Sequence, residues 1–142
     1  MFFIHTIIFT VGLQPLIEPE WAAQLHDYLR KAANKLRSPV IAVNGMSEHV
    51  HILVSLSPNI SIDKLVKNLK TDSTDWIQRT LNKQLDWDEG YGAFSVGGPE
   101  LESIKTFIKN QKEHHSEYSF REEYEAILTA HEIEFDPETL FD

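Results

Sequence analysis

The chain has 142 residues, of which 42% are hydrophobic and 25% are charged, which is enough for one globular domain with its own core. The absence of cysteine excludes disulfides and thiolate metal sites, and it fits a reducing, cytoplasmic location. The net charge is −9, but residues 112–142 carry −8 of it, so the near-neutral remainder does not exclude a nucleic-acid partner.

Hydrophobic periodicity divides the chain into strands and helices. In chain order it predicts a strand over 2–11, a helix over 19–37, strands over 40–43 and 48–56, a helix over 61–82, a strand over 93–96, and helices over 100–117 and 120–131. The apolar opening run has no basic start and no small-residue cleavage site, so it indicates a buried strand rather than a signal peptide. No apolar run is long enough to span a membrane.

Two local signals refine this prediction. Asn44-Gly45 is a strong two-residue turn signal, so the second and third strands should form a hairpin around it. Residues 71–75 are rich in poor helix formers, so we expect a bend or break in the helix that contains them.

The order β-α-β-β-α-β is typical of the ferredoxin-like fold, an α+β arrangement with a four-stranded antiparallel sheet and two helices on one face. Additional C-terminal helices follow. The prediction is therefore a single domain over 1–142, with a core at 1–97, a late helix at 99–117 that carries the site, and an acidic C-terminal helix and tail at 119–142.

The third strand has one wholly apolar face and one face that carries two histidines. His49 and His51 lie two residues apart, so their side chains point the same way from Cα atoms about 6.5–7 Å apart. Both imidazoles could then reach one metal ion or one phosphate, although strand histidines are often simply half-buried. The apolar face suits the two covering helices, so the histidines should face the other way, where a further cover is needed; the apolar residues are Val50, Ile52, Val54 and Leu56.

The late helix is the predicted cover, supplied either by the same chain or by a dimer partner. One face of it carries Ile104, Phe107, Ile108, Gln111 and His115. Gln111 would then join the two histidines in an open three-ligand site for a divalent cation such as Mg²⁺ or Mn²⁺. Phe107, one turn earlier, carries no nucleophile and by itself is typical of a core aromatic.

Basic side chains on the two earlier helices are candidates for nucleic-acid binding. A solvated helix face explains them equally well. The candidates are Arg30, Lys31, Lys64, Lys67 and Lys70.

Several separated stretches resemble the single-tyrosine HUH transposases of the insertion-sequence-200 kind. They are His49-Val50-His51, the run GYGAFS at 90–95, IKNQKEHH at 108–115 and FREEY at 120–124. The resemblance implies a ferredoxin-like homodimer that binds single-stranded DNA hairpins. It also implies cleavage through a 5′-phosphotyrosine link, with a divalent metal held by His49 and His51 and with Gln111 as the third polar ligand.

The main departure from that family is Phe107, which stands where the family has its tyrosine. Phenylalanine keeps the packing and removes the nucleophile, so we expect no strand cleavage. The chain is then either a natural variant or an engineered inactive one. The natural variant is favoured because residues 11–14 are uncharged where the family usually has basic residues, and because the net charge is −9.

Other residues and other functions stay open. The remaining tyrosines, Tyr91, Tyr118 and Tyr124, suit packing or surface roles better than that of a substitute nucleophile. His114 and His115 could touch metal or DNA, or could lie beside a helix C-terminal dipole. The alternatives to an active transposase are a DNA-binding or regulatory protein that has lost catalysis, and a metal-binding structural dimer without a nucleic-acid partner.

Overall fold

A computed structural model describes residues 2–141, in which helices cover both faces of one antiparallel sheet. The strands are β1 (Phe2–Phe9), β2 (Val40–Gly45), β3 (His49–Leu56) and β4 (Gly92–Val96). The helices are α1 (Pro19–Lys35), α2 (Ile62–Leu81), α3 (Leu101–Lys109), α4 (Gln111–His114) and α5 (Phe120–Ala130). The predicted α+β class and its four-stranded antiparallel sheet are confirmed; the first and last residues of the predicted domain lie outside the described residues.

The sheet has the strand order β2-β3-β1-β4, and every neighbouring pair is antiparallel. In the central pair, Phe9 lies opposite His49 and Ile7 lies opposite His51. Residues that lie opposite each other share a face of the sheet. His5, two residues before Ile7, therefore projects from the same face as the two strand histidines.

The inner face of the sheet packs against α1 and α2. Val50, Ile52 and Val54 are fully buried there with Ile8, which confirms the predicted orientation of β3. Leu25 and Leu29 of α1 and Leu65 and Leu69 of α2 complete this core. None of the helices within residues 2–141 is both long and apolar enough to cross a membrane.

The outer face, which carries the histidines, is covered by the C-terminal helices of the same chain. Ile7 and Phe9 of the sheet pack there against an aromatic layer from α5 and the chain end. That layer consists of the aromatic residues Phe120, Tyr124 and Phe141, together with Leu128. α3 lies along β2, where Asn44 Nδ2 donates to the carbonyl oxygen of Lys109 at 3.0 Å.

The prediction of one continuous helix over 100–117 is wrong. α3 ends at Lys109, Asn110 has non-helical angles (φ −96°, ψ 27°), and α4 ends at His114. Asn44 reaches across from β2 and donates to the last carbonyl of α3, an interaction that no local helix pattern contains. The break leaves Gln111 at the start of α4, fully buried under the helical cover.

The predicted hairpin exists, but its turn does not lie at Asn44-Gly45. Both residues belong to β2, where Gly45 lies opposite Val50, and the chain reverses at residues 46–48. A Cβ atom on Gly45 would lie 2.1 Å from the carbonyl oxygen of His49. Glycine is required here because two backbones approach closely, and not because a turn needs a positive φ.

The predicted bend at residues 71–75 is also absent, since α2 runs unbroken from Ile62 to Leu81. The polar side chains of this stretch have partners that keep the helix intact. Ser73 Oγ donates to the carbonyl of Lys70 at 3.1 Å and accepts from Trp87 Nε1 at 3.0 Å. Thr74 Oγ1 donates to the carbonyl of Leu85 at 3.1 Å.

We expect Gly45→Ala to lower the free energy of unfolding by about 2–3 kcal/mol, because the new methyl group would force the β2 and β3 backbones apart. Urea unfolding followed by circular dichroism measures this. Gly98→Ala is the matched control, since a Cβ there meets nothing within 4 Å, and it should change the stability by less than about 0.5 kcal/mol. Equal effects of the two substitutions would contradict the proposed role of Gly45.

Candidate metal centre

The two strand histidines predicted as metal ligands are fully buried on the outer face of β3. Their ring centroids lie 5.0 Å apart. Phe120 of α5 stacks on the ring of His49 at 4.1 Å between centroids, which holds that ring in place. The structure thus brings both imidazoles to one point beneath α4 and α5.

Gln111, the third predicted ligand, also reaches this point. Its Oε1 atom lies 2.8 Å from His49 Nε2 and 3.0 Å from His115 Nε2. The residue is fully buried, so the amide oxygen is shielded from water and available to whatever the histidines bind. The three predicted ligands therefore come together within one chain.

Glu123 on α5 completes the cluster, and sequence reasoning missed it. Its side chain is 1% exposed, Oε1 is bonded to His51 Nε2, and the same oxygen lies 3.8 Å from His49 Nε2. Its other oxygen, Oε2, lies 2.6 Å from His115 Nε2 and 3.3 Å from His114 Nε2. The available signal was a carboxylate on the apolar stripe of an amphipathic helix, between Phe120 and Tyr124.

His5 on β1 is the second residue that sequence reasoning missed. Its Nε2 atom lies 2.8 Å from His51 Nδ1, and the side chain is buried. Because a neutral imidazole has one donor and one acceptor nitrogen, His5 can serve His51 in either tautomer. The available signal was a histidine inside an otherwise apolar strand.

The protonation states suit a cation site. Burial lowers the pKa of His51 to about 4, against the opposing effect of the Glu123 carboxylate, and burial lowers the pKa of His5 to about 3. Burial by itself would raise the pKa of Glu123, but the hydrogen bond from His51 and the nearby histidines hold that pKa below its ordinary value. At neutral pH the imidazoles of His5 and His51 are therefore neutral beside the ionised carboxylate of Glu123, and neutral imidazole and carboxylate are the forms that bind divalent metals.

The tautomer of His49 points its free lone pair into the cluster. His49 Nδ1 donates to Glu48 Oε1 at 2.6 Å, so in the neutral ring Nε2 is an acceptor. That atom faces Gln111 Oε1, a second acceptor, at 2.8 Å. Two acceptors this close repel each other unless they share a cation, or unless the Gln111 amide rotates so that Nε2 donates to His49. The ligand atoms of His49, His51 and Glu123 lie within 4.8 Å of one another, so the residues present fit a divalent ion.

Phe107 lies beside this cluster, two residues before the end of α3. Its ring centroid is 5.5 Å from that of His51. A mainly apolar cavity of about 380 Å³ opens next to it, with Phe107, His114 and Glu123 in its wall. The position predicted for the nucleophile thus borders both the histidines and open space, but the phenyl ring offers no hydroxyl.

The predicted nucleic-acid-binding residues lie elsewhere, on α1 and α2, on the opposite face of the sheet from the histidines. Arg30 donates to the carbonyl of Val40, and Lys70 donates to the carbonyls of Asp88 and Gly90. The remaining contacts are ion pairs with the preceding helical turn, Lys31 with Asp27 and Lys67 with Asp63. The structure does not bring these residues, or the exposed Lys64, to the metal centre, and their role in binding stays a prediction.

Comparison with known proteins gives two kinds of match. The family model described as "Transposase IS200 like" matches residues 2–111. A proposed transposase from Deinococcus radiodurans R1 has a similar crystal structure, with a TM-score of 0.62 and 27% identity over 77% of this chain and 89% of that one. A REP-associated tyrosine transposase bound to a REP hairpin has a TM-score of 0.56 and 12% identity, over 80% and 67% of the two chains, which concerns the fold alone. None of the curated proteins compared with the chain matches it.

We expect Glu123→Gln to abolish most of the stabilisation that a divalent cation gives to the protein, because it removes the only carboxylate in the buried ligand set of His49, His51 and Gln111. At a free Mn²⁺ concentration of 100 times Kd, the unsubstituted protein should gain about 2.7 kcal/mol over the chelator-treated form. Thermal unfolding with and without Mn²⁺ measures the gain.

The matched control is the neighbouring Glu122→Gln. Glu122 is exposed and forms the capping box of α5 with Ser119, and glutamine preserves that box. This variant should keep the full response to Mn²⁺. An equal response of the two variants would contradict the assignment of Glu123 as a ligand.

Proposed function

The chain belongs to the IS200-like transposase family, and we propose that it binds single-stranded DNA hairpins beside a divalent-metal site made by His49, His51, Gln111 and Glu123. The observation that carries the proposal is the convergence of these four buried side chains on one point next to an open cavity. The structural neighbour described as bound to a REP hairpin supports DNA as the ligand class. We further propose that the protein acts as a homodimer in the cytoplasm, as the resemblance to the family implies.

Each residue of the site has a task that follows from its contacts. Glu48 holds the Nδ1 proton of His49, so that Nε2 of this ring is free to bind a cation such as Mg²⁺ or Mn²⁺. His51 Nε2 donates to Glu123 Oε1, so a cation at that nitrogen requires the proton to move to Nδ1, where His5 Nε2 can accept it. Gln111 and Glu123 supply oxygen ligands from the helical cover. A bound cation would polarise a phosphate oxygen and orient the phosphodiester.

Phe107 makes the unsubstituted protein defective in strand cleavage. The family reaction requires a tyrosine oxygen that attacks phosphorus, and the ring at this position carries none. The other tyrosines do not replace it: Tyr124 is buried in the aromatic layer, the Tyr91 hydroxyl donates to Asp63, and Tyr118 stacks on His114 with half of its surface exposed. The proposed activity is therefore hairpin binding without a covalent intermediate.

The second candidate function is a metal-binding structural dimer without a nucleic-acid partner. The observation that favours it is the charge distribution, because residues 112–142 carry a net charge of −8 and this segment includes α5, which supplies Glu123 to the metal centre. Phosphate backbones would be repelled from that side of the molecule. Under this alternative the basic residues of α1 and α2 are simply solvated helix faces.

The covalent-adduct assay tests the proposed function. The unsubstituted protein and its Phe107→Tyr variant are incubated with Mn²⁺ and a labelled library of single-stranded hairpins. The label that stays on the protein after denaturation is then measured. Before denaturation, we expect the unsubstituted protein and the Phe107→Tyr variant both to retain hairpins. A covalent adduct should form only with Phe107→Tyr, because only that variant offers a hydroxyl beside His51.

The control adds His49→Ala and His51→Ala to Phe107→Tyr, which should abolish the adduct, and circular dichroism checks that the sheet and helices of this variant still form. An adduct formed by the unsubstituted protein would contradict the proposed loss of cleavage. No adduct and no hairpin retention by either protein would remove the DNA-binding proposal and favour the structural alternative.

A further inference from the structure

The carboxylate of Glu123 faces a different pair of histidines with each of its oxygens. Oε1 faces His49 and His51, as described above. Oε2 faces His114 and His115 at the end of α4, at 3.3 Å and 2.6 Å from their Nε2 atoms. One buried carboxylate thus joins two separate groups of nitrogen ligands, and the first group uses only one of its oxygens.

The tautomer of His115 leaves a lone pair directed at this second oxygen. His115 Nδ1 lies 2.7 Å from the carbonyl oxygen of Tyr118, and a carbonyl can only accept a hydrogen bond, so Nδ1 carries the proton. In the neutral ring Nε2 is then an acceptor. It faces two further acceptors, Glu123 Oε2 at 2.6 Å and Gln111 Oε1 at 3.0 Å.

Polar atoms around this point lack hydrogen-bond partners. Among residues 2–141, His114 Nε2, Glu123 Oε2 and Gln111 Nε2 are all buried without one. A buried polar atom without a partner costs about 1–3 kcal/mol. Two imidazole nitrogens and a carboxylate oxygen, all within 4.8 Å of one another, are instead fully used if they bind a cation.

We propose that His114, His115 and Glu123 bind a second divalent cation, so that Glu123 bridges two ions. The site rests on the proposed function, since it shares Glu123 with the centre of His49 and His51. Imidazole and carboxylate ligands suit a first-row transition ion such as Mn²⁺ or Zn²⁺. His114 is partly exposed and lines the cavity beside Phe107, which leaves room for further oxygen ligands from water or a phosphate.

A pair of cations held this way would give the chain a phosphate clamp that does not depend on residue 107. Two-metal phosphoryl-transfer sites hold their ions roughly 3.5–4 Å apart, a spacing that a bridging carboxylate permits. The protein would then bind a phosphodiester between two ions on the side where its family has the tyrosine.

Metal stoichiometry tests the proposal. Chelator-treated protein is titrated with Mn²⁺ by calorimetry, and bound metal is counted by elemental analysis. We expect two equivalents of Mn²⁺ for the unsubstituted protein and for the control variant His131→Ala. His131 lines the same cavity but is outside both ligand groups. His114→Ala should weaken the second equivalent roughly 100-fold or more and leave the first unchanged, which also shows that the variant is folded.

Electron paramagnetic resonance supplies a second readout. In the unsubstituted protein, two Mn²⁺ ions bridged by Glu123 should give an exchange-coupled signal. In His114→Ala, the single remaining ion should give an isolated-ion signal. A single equivalent in the unsubstituted protein, unaffected by His114→Ala, would overturn the second site; the first centre and the proposed function would stand. No bound metal in the unsubstituted protein would overturn both.

Discussion

The contact between Glu123 and His51 is the interaction on which the site and the helical cover depend. It joins α5 to the centre of the sheet across 72 residues of sequence. Burying an ionised carboxylate costs several kcal/mol unless opposite charge or hydrogen bonds compensate for it. The hydrogen bond from His51 is the compensation that the structure provides, and the packing of Phe9 against Phe120 and Tyr124 keeps α5 above the site. Because hydrophobic packing holds α5 in place, the ligand side chains are positioned before any cation binds.

The alternation of β3 separates this polar cluster from the main core. Because side chains alternate with a period of two, a register shift of one residue would exchange the apolar and histidine faces. Gly45 fixes that register, since only glycine allows the close approach of β2 to the backbone of His49. The register of β2 and β3 therefore determines both the inner core and the position of the metal-centre histidines. The same register brings His5 on β1 within reach of His51, although 46 residues separate them.

Local patterns in the sequence were sufficient for the α+β class, the antiparallel sheet and the facing of the two strand histidines, because alternation and helical periodicity are properties of neighbouring residues. They were insufficient wherever a distant residue decides the structure. Asn44 ends α3 from 65 residues away, and Trp87 and Leu85 satisfy the polar residues that suggested a bend in α2. Glu123 and His5 reach the site only through the tertiary fold, so the local signals at these positions did not identify them as ligands or partners of the strand histidines. Gln111 was within reach of sequence reasoning because it shares a face with Ile104 and Ile108 in the predicted continuous helix, although the structure places it in α4.

Under the proposed function, Phe107 stands where the family has its tyrosine, so the chain would have a metal centre without a nucleophile. The central claim is that the centre remains intact without the hydroxyl. Anomalous diffraction from crystals grown with Mn²⁺ tests it most directly, because the signal locates the ion independently of activity. We predict a peak about 2.0–2.3 Å from the Nε2 atoms of both His49 and His51, with Gln111 or Glu123 oxygen as a further ligand. Anomalous peaks confined to the acidic surface, with His49 and His51 still bonded to Gln111 and Glu123, would contradict it.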